Sequence, residues 1–233
     1  MSLVPILAAG ANIAMYISQL SVINVLRRAQ KTETAVPVLQ FMVSFLSSVL
    51  WLKYGLIKHD HTITFVNSLG TLIALYILGC FWWYAPKRSH IEVTFLCTSL
   101  SGLLMLLYVD HSTRPEAMHV FGLVCCVMSL VFLASPLGQM GSVIRKRDAS
   151  VLLPSVAALA FCNNVLWSVY GHLHNDPFML LPNCIGAGLC AMQLGLIALY
   201  GREAARLPVA VVGAVGGSGG VPMMQITPRD AAE

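Results

Sequence analysis

The stretch from Leu50 to Gly70, LWLKYGLIKHDHTITFVNSLG, occurs in this chain twice, and that duplication restricts the fold more than any other feature. Slid forward by 116 positions without a gap, Val49, Leu50, Trp51, Tyr54, Gly55, Asp60, Asn67 and Gly70 fall on Val165, Leu166, Trp167, Tyr170, Gly171, Asp176, Asn183 and Gly186. Scattered identities in one ungapped register mark an internal repeat. Each copy reads as the end of one apolar helix, a short polar turn closing at an Asp, and the start of the next apolar helix.

The repeat reaches further back. Ser18 to Pro37 matches Ser135 to Pro154 at an offset of 117, pairing Ser18 with Ser135, Leu20 with Leu137, Arg28 with Arg145 and Pro37 with Pro154. The units are therefore longer than a hairpin, and their solvent decides their form. The chain is 57% hydrophobic and 10% charged, against about 25% charged for a soluble domain. With a mean hydropathy of +0.76, that composition points to a membrane protein.

Spanning the hydrocarbon core takes about 20 apolar residues in a helix. Seven such segments are predicted: Leu3 to Leu26, Val36 to Ile57, Thr62 to Tyr84, Ile91 to Val109, Ala117 to Ile144, Val151 to Tyr170 and Pro177 to Tyr200. The fold class is thus all-α integral membrane, 3+1+3. Residues 3–84 form a first three-helix repeat, 91–109 a linker helix, 117–200 a second repeat and 201–233 a disordered cytoplasmic tail. An odd number of helices per unit requires one inverting helix if both units are to enter the membrane alike, so the repeats are parallel. The first apolar run lacks a basic leader and a clear cleavage site and reads as a helix.

Charge sets the expected orientation. Arg27, Arg28, Lys31, Lys87, Arg88, Arg145, Lys146 and Arg147 crowd the loops of one side, with Arg202, Arg206 and Arg229 in the tail, whereas the other side carries Lys58 and Arg114. Lys53, near a helix end, is read as snorkelling outward. The positive-inside rule then places the N-terminus outside and the C-terminus in the cytoplasm. The net charge of +4 is loop charge of this kind, and no basic run interleaved with aromatics suggests nucleic acid. All seven cysteines lie in apolar segments with no ligand spacing, so no metal, cofactor or disulfide framework is expected.

Polar side chains inside a bilayer are costly and face the bundle interior. Ser47, Ser48 and Asn67 in the first unit correspond at the 116 offset to Asn163, Asn164 and Asn183 in the second. Ser47 shares a helix face with Trp51, and Asn163 with Trp167. Counting residues at about 1.5 Å each places Trp51 and Asn67, and likewise Trp167 and Asn183, roughly 8 Å below the outer helix ends. If the repeats face each other, two indoles and two carboxamides ring one cavity. That pattern suits a neutral polyhydroxylated ligand, whose C–H face packs on an aromatic while its hydroxyls bond the amides. Taken singly, such a Trp is an interfacial anchor and such an Asn interhelical glue; the repeated set of four favours ligand binding.

Gly70, Gly186, Gly188 and Gly79 are read as close helix contacts, Tyr54 and Tyr170 as belt residues, and His59, His61, His172 and His174 as a solvated rim. Pro37 and Pro154 fall at helix starts, and Pro136 and Pro182 inside helices, where a freed carbonyl permits bending. No acid or base lies in the interior of the third, fifth, sixth or seventh segment, which favours facilitated diffusion over proton coupling.

With TETAVPVLQF, WLKYG, TFVNSLG, ASPLGQM, WSVYG and DPFMLLPNCIG in place, the sequence resembles the SWEET sugar transporters, of the animal type, from Ala8 to about Tyr200. The resemblance implies a uniporter for mono- or disaccharides that works by alternating access and resides in the plasma membrane, the Golgi or both. By motif match it implies that Asn67 and Asn183 bond sugar hydroxyls and that Trp167 stacks on the ring; Trp51, and Asn163 and Ser47 on the faces of the two indoles, are read as completing the site. Two indoles narrow such a pocket toward a monosaccharide. It also implies hinging at Pro136 and Pro154, with Pro37 or Gln40 filling the corresponding place in the first unit and Gln19 standing opposite Pro136. Close relatives often assemble, so a homo-oligomer is a further expectation. Two rival classes are a seven-helix receptor, which lacks support in the Trp83-Tyr84-Ala85 triplet after the third segment, and a non-transporting membrane adaptor, which calls for charged residues in the cavity.

Overall fold

A computed structural model describes residues 3–24, 38–84, 88–111, 115–132 and 134–201. Every regular element among them is a helix: α1 Leu3–Gln19, α2 Val38–Ile57, α3 His61–Tyr84, α4 Ser89–His111, α5 Pro115–Phe132, α6 Ala134–Lys146, α7 Pro154–Leu173 and α8 Pro177–Tyr200. After a turn at Leu20 the first span continues helically through residue 24. Pro37 and the tail from residue 202 lie outside the described residues.

The expected fifth segment carries α5 and α6, described on either side of residue 133. Proline cannot donate to the carbonyl four residues back and its ring crowds that carbonyl. Pro136 stands four residues after Phe132 and so leaves that carbonyl without its helical donor; Pro154 opens α7. Five spans, Leu3–Asn24, Val38–Ile57, His61–Tyr84, Ile91–His111 and Pro177–Tyr200, are long and apolar enough to cross a membrane on their own. The others are the stretch that carries α5 and α6, and α7, whose Asn163, Asn164 and Ser168 lower its hydropathy. Outward-facing side chains are apolar, as lipid requires, with Leu72 64% and Leu199 73% exposed.

Within each triplet the third helix packs against both others: α3 touches α1 and α2, and α8 touches α5 and α7. Between triplets α1 packs on α7 and α5 on α2, which is the same first-to-second helix contact made twice, while α4 leans on α2. At one end a single core joins the repeats, uniting Leu50, Tyr54 and Ile63 with Phe121, Trp167, Tyr170 and Met179. The other buried clusters of the described residues are separate. One joins Val22, Phe41, Met42, Ile77 and Phe81 of the first triplet to Ile91 of α4, and the other holds Val143, Ala149 and Leu152 of the second.

The hairpins that carry the repeat are alike down to the backbone. His59 and Asn175, 116 apart, both take the left-handed conformation, with φ of 53° and 51°. Asp60 N–H bonds Gly55 carbonyl at 2.9 Å, and Asp176 N–H bonds Gly171 carbonyl at 2.8 Å. Glycine is needed at both places, because a Cβ on Gly55 would lie 2.8 Å from Thr64 N and one on Gly171 2.8 Å from Leu180 N. The next helix therefore folds back tightly, and its first turn is capped by the Asp: Ile63 N–H donates to Asp60, and Phe178 and Met179 N–H donate to Asp176.

Of the glycines read as close contacts, Gly70 and Gly186 are so. A Cβ would collide with the Tyr16 ring and hydroxyl at Gly70, and with the Asn164 amide at Gly186. Gly79 and Gly188 face open space, which corrects that expectation for both. Lys53 reaches the exposed Asp110 near the end of α4 and pairs with it, in keeping with an outward-directed side chain.

Candidate functional site

A cavity of about 160 Å³ lies between the triplets. Trp51, Asn67, Asn163, Trp167 and Asn183 all line it, together with Asn12, Ser129 and Asn164. Of the six residues expected to bind ligand, Ser47 alone is absent from the lining and is half-buried on α2. None of the lining residues is charged.

The amides are aimed by their own helices. Asn67 Nδ2 donates to Ile63 carbonyl at 2.9 Å, and Asn183 Nδ2 donates to Met179 carbonyl at 2.7 Å. Each carboxamide spends one N–H in this way and keeps its oxygen and a second N–H for a ligand. Asn163 Oδ1 is buried with no hydrogen-bond partner, and a buried acceptor in that state costs roughly 1–3 kcal/mol until a donor meets it. A ligand hydroxyl is such a donor. The indole N–H groups, by contrast, are occupied: Trp51 Nε1 donates to Ser129 Oγ at 3.2 Å, and Trp167 Nε1 to Asn12 Oδ1 at 3.1 Å. The indoles therefore offer a ligand their faces, not their donors.

Above the cavity the repeats are latched together. Tyr54 hydroxyl donates to the Asp176 carboxylate at 2.9 Å, and Tyr170 hydroxyl donates to the Asp60 carboxylate at 2.8 Å. A phenol has one proton, so each tyrosine makes one charge-assisted bond shared by two oxygens. The reading of Tyr54 and Tyr170 as belt residues is overturned: they are 0% and 2% exposed. Their hydroxyls bond carboxylates of the opposite repeat, which a lipid-facing position would not allow. Lys58 adds an ion pair to the buried Asp176 at 2.8 Å. Its counterpart at the 116 offset is His174, which stacks on the Tyr170 ring at 4.0 Å while remaining exposed, as a rim residue should be. A second space of about 160 Å³ lies beyond these contacts, lined by Lys58, Asp60, Tyr170, His174 and Asp176. Ile63 and Met179, again 116 apart, line both spaces and so form the wall between them.

The tyrosines, aspartates, Asn12 and Ser129 carried a signal that the reading of the sequence did not use. Tyr54, Asp60, Tyr170 and Asp176 are among the repeat identities, yet an Asp at a turn has a sufficient role as a cap. Asn12 and Ser129 are unlike in type, and only their separation of 117 relates them.

Comparison with known proteins gives these geometric pairs a context. The family described as "sugar efflux transporter for intercellular exchange" matches residues 2–89 and again 119–205, which are the two triplets. The chain belongs to the SWEET family. It is 29% identical over 209 residues to the sugar transporter SWEET1 of Dictyostelium discoideum, covering 86% of this chain and 93% of that protein. To the sugar transporter SWEET1 of Mus musculus it is 30% identical over 187 residues, covering 76% of this chain and 82% of the mouse protein. A 3.7 Å resolution structure of a eukaryotic SWEET transporter superposes with a TM-score of 0.75 at 27% identity, covering 87% of this chain and all of that one. The seven-span 3+1+3 arrangement is thus the SWEET fold, with α5 and α6 together making the fifth span. The protein is not an enzyme.

Proposed function

We propose that this chain is a facilitative, bidirectional sugar uniporter working by alternating access. The observation that carries the reading is the uncharged cavity between two parallel repeats, lined by indoles and carboxamides and latched at one end by reciprocal tyrosine–carboxylate bonds. Relatives named sugar transporters, including the bidirectional sugar transporter SWEET7 of Arabidopsis thaliana, support the substrate class. Asn67, Asn183 and Asn163 bond the sugar hydroxyls, Trp51 and Trp167 pack on its C–H faces, and Ser47 takes part in another state of the cycle. Drug-sized ligands occupy pockets of about 300–1,000 Å³. A cavity of about 160 Å³ suits a glucose-like monosaccharide better than a disaccharide.

Residues 3–84 and 117–200 act as the two moving units and 91–109 as their linker. Hinging uses Pro136, Pro154 and Pro37. Basic loop residues place the N-terminus outside or in the lumen and the tail in the cytoplasm, so the latched end faces outward. The protein lies in the bilayer of the plasma membrane, the Golgi or both and associates as homo-oligomers.

The test is uptake and efflux of radiolabelled glucose in cells lacking endogenous transporters, comparing wild type with Asn183→Ala at equal surface expression. Flux in both directions that is lost in the variant is the expected result. A surface-expressed wild type that moves none of glucose, fructose, galactose and sucrose would overturn the proposal.

A further inference from the structure

We propose that Asn12 and Ser129 are positioning residues that aim the two indoles of the sugar site, each acting from the opposite repeat. The proposal rests on the sugar-transport reading, since it names what orients the stacking faces of that site. Neither residue belongs to the repeated stretch that contains Trp51 and Trp167, and the two differ in type. Yet they stand 117 apart, the offset of the first helix in each triplet, and they make the same contact. Asn12 on α1 accepts from Trp167 on α7, and Ser129 on α5 accepts from Trp51 on α2.

An indole on a helix can still roll about its side-chain torsions, and stacking needs its face presented at one angle. Here each ring is held twice. It packs at a steep angle to the tyrosine one turn along the same helix, Trp51 on Tyr54 at 5.2 Å and 74° and Trp167 on Tyr170 at 5.3 Å and 62°. The N–H edge is held across the repeat boundary. Ser129 is itself oriented, because its hydroxyl donates to Cys125 carbonyl at 3.0 Å and so turns a lone pair toward Trp51. The tyrosines against which the rings lean are those whose hydroxyls latch the repeats. Gate and binding site are therefore assembled by one set of cross-repeat bonds: closing the Tyr–Asp end also squares the indoles.

A group that acts through an indole N–H has no effect once that N–H is gone, which a double-mutant cycle detects. Trp51→Phe keeps an aromatic face and removes the donor. In equilibrium exchange of glucose, Ser129→Ala is expected to raise the half-saturation concentration roughly three- to tenfold, the worth of one hydrogen bond, with the maximal rate changed less. In the Trp51→Phe background the same substitution is expected to change it by less than about twofold. Asn12→Leu with Trp167→Phe should behave likewise. Full additivity in both cycles would overturn the proposal and make Asn12 and Ser129 direct sugar contacts or packing residues, while leaving the transport reading intact.

A second readout needs no transport. In a protein whose only tryptophan is Trp51, made with Trp82→Phe, Trp83→Phe and Trp167→Phe, Ser129→Ala is expected to shift the emission maximum to shorter wavelength as the N–H loses its acceptor. An unshifted spectrum in folded, monodisperse protein would overturn the proposal even if no sugar is moved.

Discussion

Removing one hydroxyl from the latch, as in Tyr170→Phe, should open the sugar cavity to the side on which Asp60 and Asp176 lie. The tyrosine packs in the shared core, so phenylalanine keeps the ring and loses only the bond to the carboxylate. A hydrogen bond to a charged acceptor contributes about 1.5–3 kcal/mol. At 1.4 kcal/mol per factor of ten, the open form gains roughly 10- to 150-fold in population relative to the closed one. Tyr54→Phe should act in the same direction but less, because Asp176 keeps the Lys58 ammonium from the opposite repeat at 2.8 Å. Among the described residues Asp60 has no such ion pair. The assay is the rate at which a membrane-impermeant thiol reagent modifies Val66→Cys, a cavity-lining position only 1% exposed. The parent chain, with its own seven cysteines, is treated in parallel. When opening is fast compared with modification, the rate follows the open population. The expected order is Tyr170→Phe above Tyr54→Phe above the unsubstituted latch, with at least a tenfold span. If both single variants and the double variant label at the unsubstituted rate, the tyrosine–carboxylate bonds do not hold the cavity shut and the argument fails.

Other outcomes follow from the same contacts. His174→Lys gives the second half of the latch the cation that Lys58 gives the first, and is expected to slow Val66→Cys labelling and lower glucose exchange; faster exchange would contradict it. Flux should be unchanged by a protonophore at matched membrane potential, because no acid or base lines the cavity; loss of uptake on collapsing a pH gradient would show coupling. Gly186→Ala and Gly70→Ala force a Cβ into Asn164 and Tyr16, overpacking worth about 1–3 kcal/mol. They should lower the thermal midpoint in detergent, whereas Gly79→Ala and Gly188→Ala leave it within error.

The fold was legible because it is a repetition. Ungapped identity at 116 and 117 residues located both triplets, and the composition of the stretches between them left only helices as an option in lipid. Bounds were best where a hairpin fixes them, as at Ile57 and Pro177, and less good at the sixth segment, expected to start at Val151 and found to start at Pro154. Five of the six expected site residues line the cavity, since polar residues repeated at membrane depth have few other uses. The latch was not legible, although all four of its residues are repeat identities. Each had a sufficient local explanation, a cap for the Asp and an interfacial ring for the Tyr, and pairing across the repeat boundary is long-range information that hydropathy does not carry. Asn12 and Ser129 were hidden for a different reason: the repeat conserves their hydrogen-bond role as acceptors but not their residue type.

The same pairing accounts for how so few bonds can govern access. Contacts inside each triplet, such as the Gly55 and Gly171 hairpins and the Asp caps, do not cross the boundary and survive any rigid rocking of one triplet against the other. Among the polar contacts that cross it are the two Tyr–Asp bonds, the Lys58–Asp176 pair and the two indole bonds, all at or above the cavity. Below it the described cores belong to one triplet each or to the first triplet with its linker helix, so separation there exposes no shared interior. A uniporter must keep its two end states within a few kcal/mol of each other to run both ways. Two charge-assisted bonds, worth about 3–6 kcal/mol together, are the right size for one end of that balance.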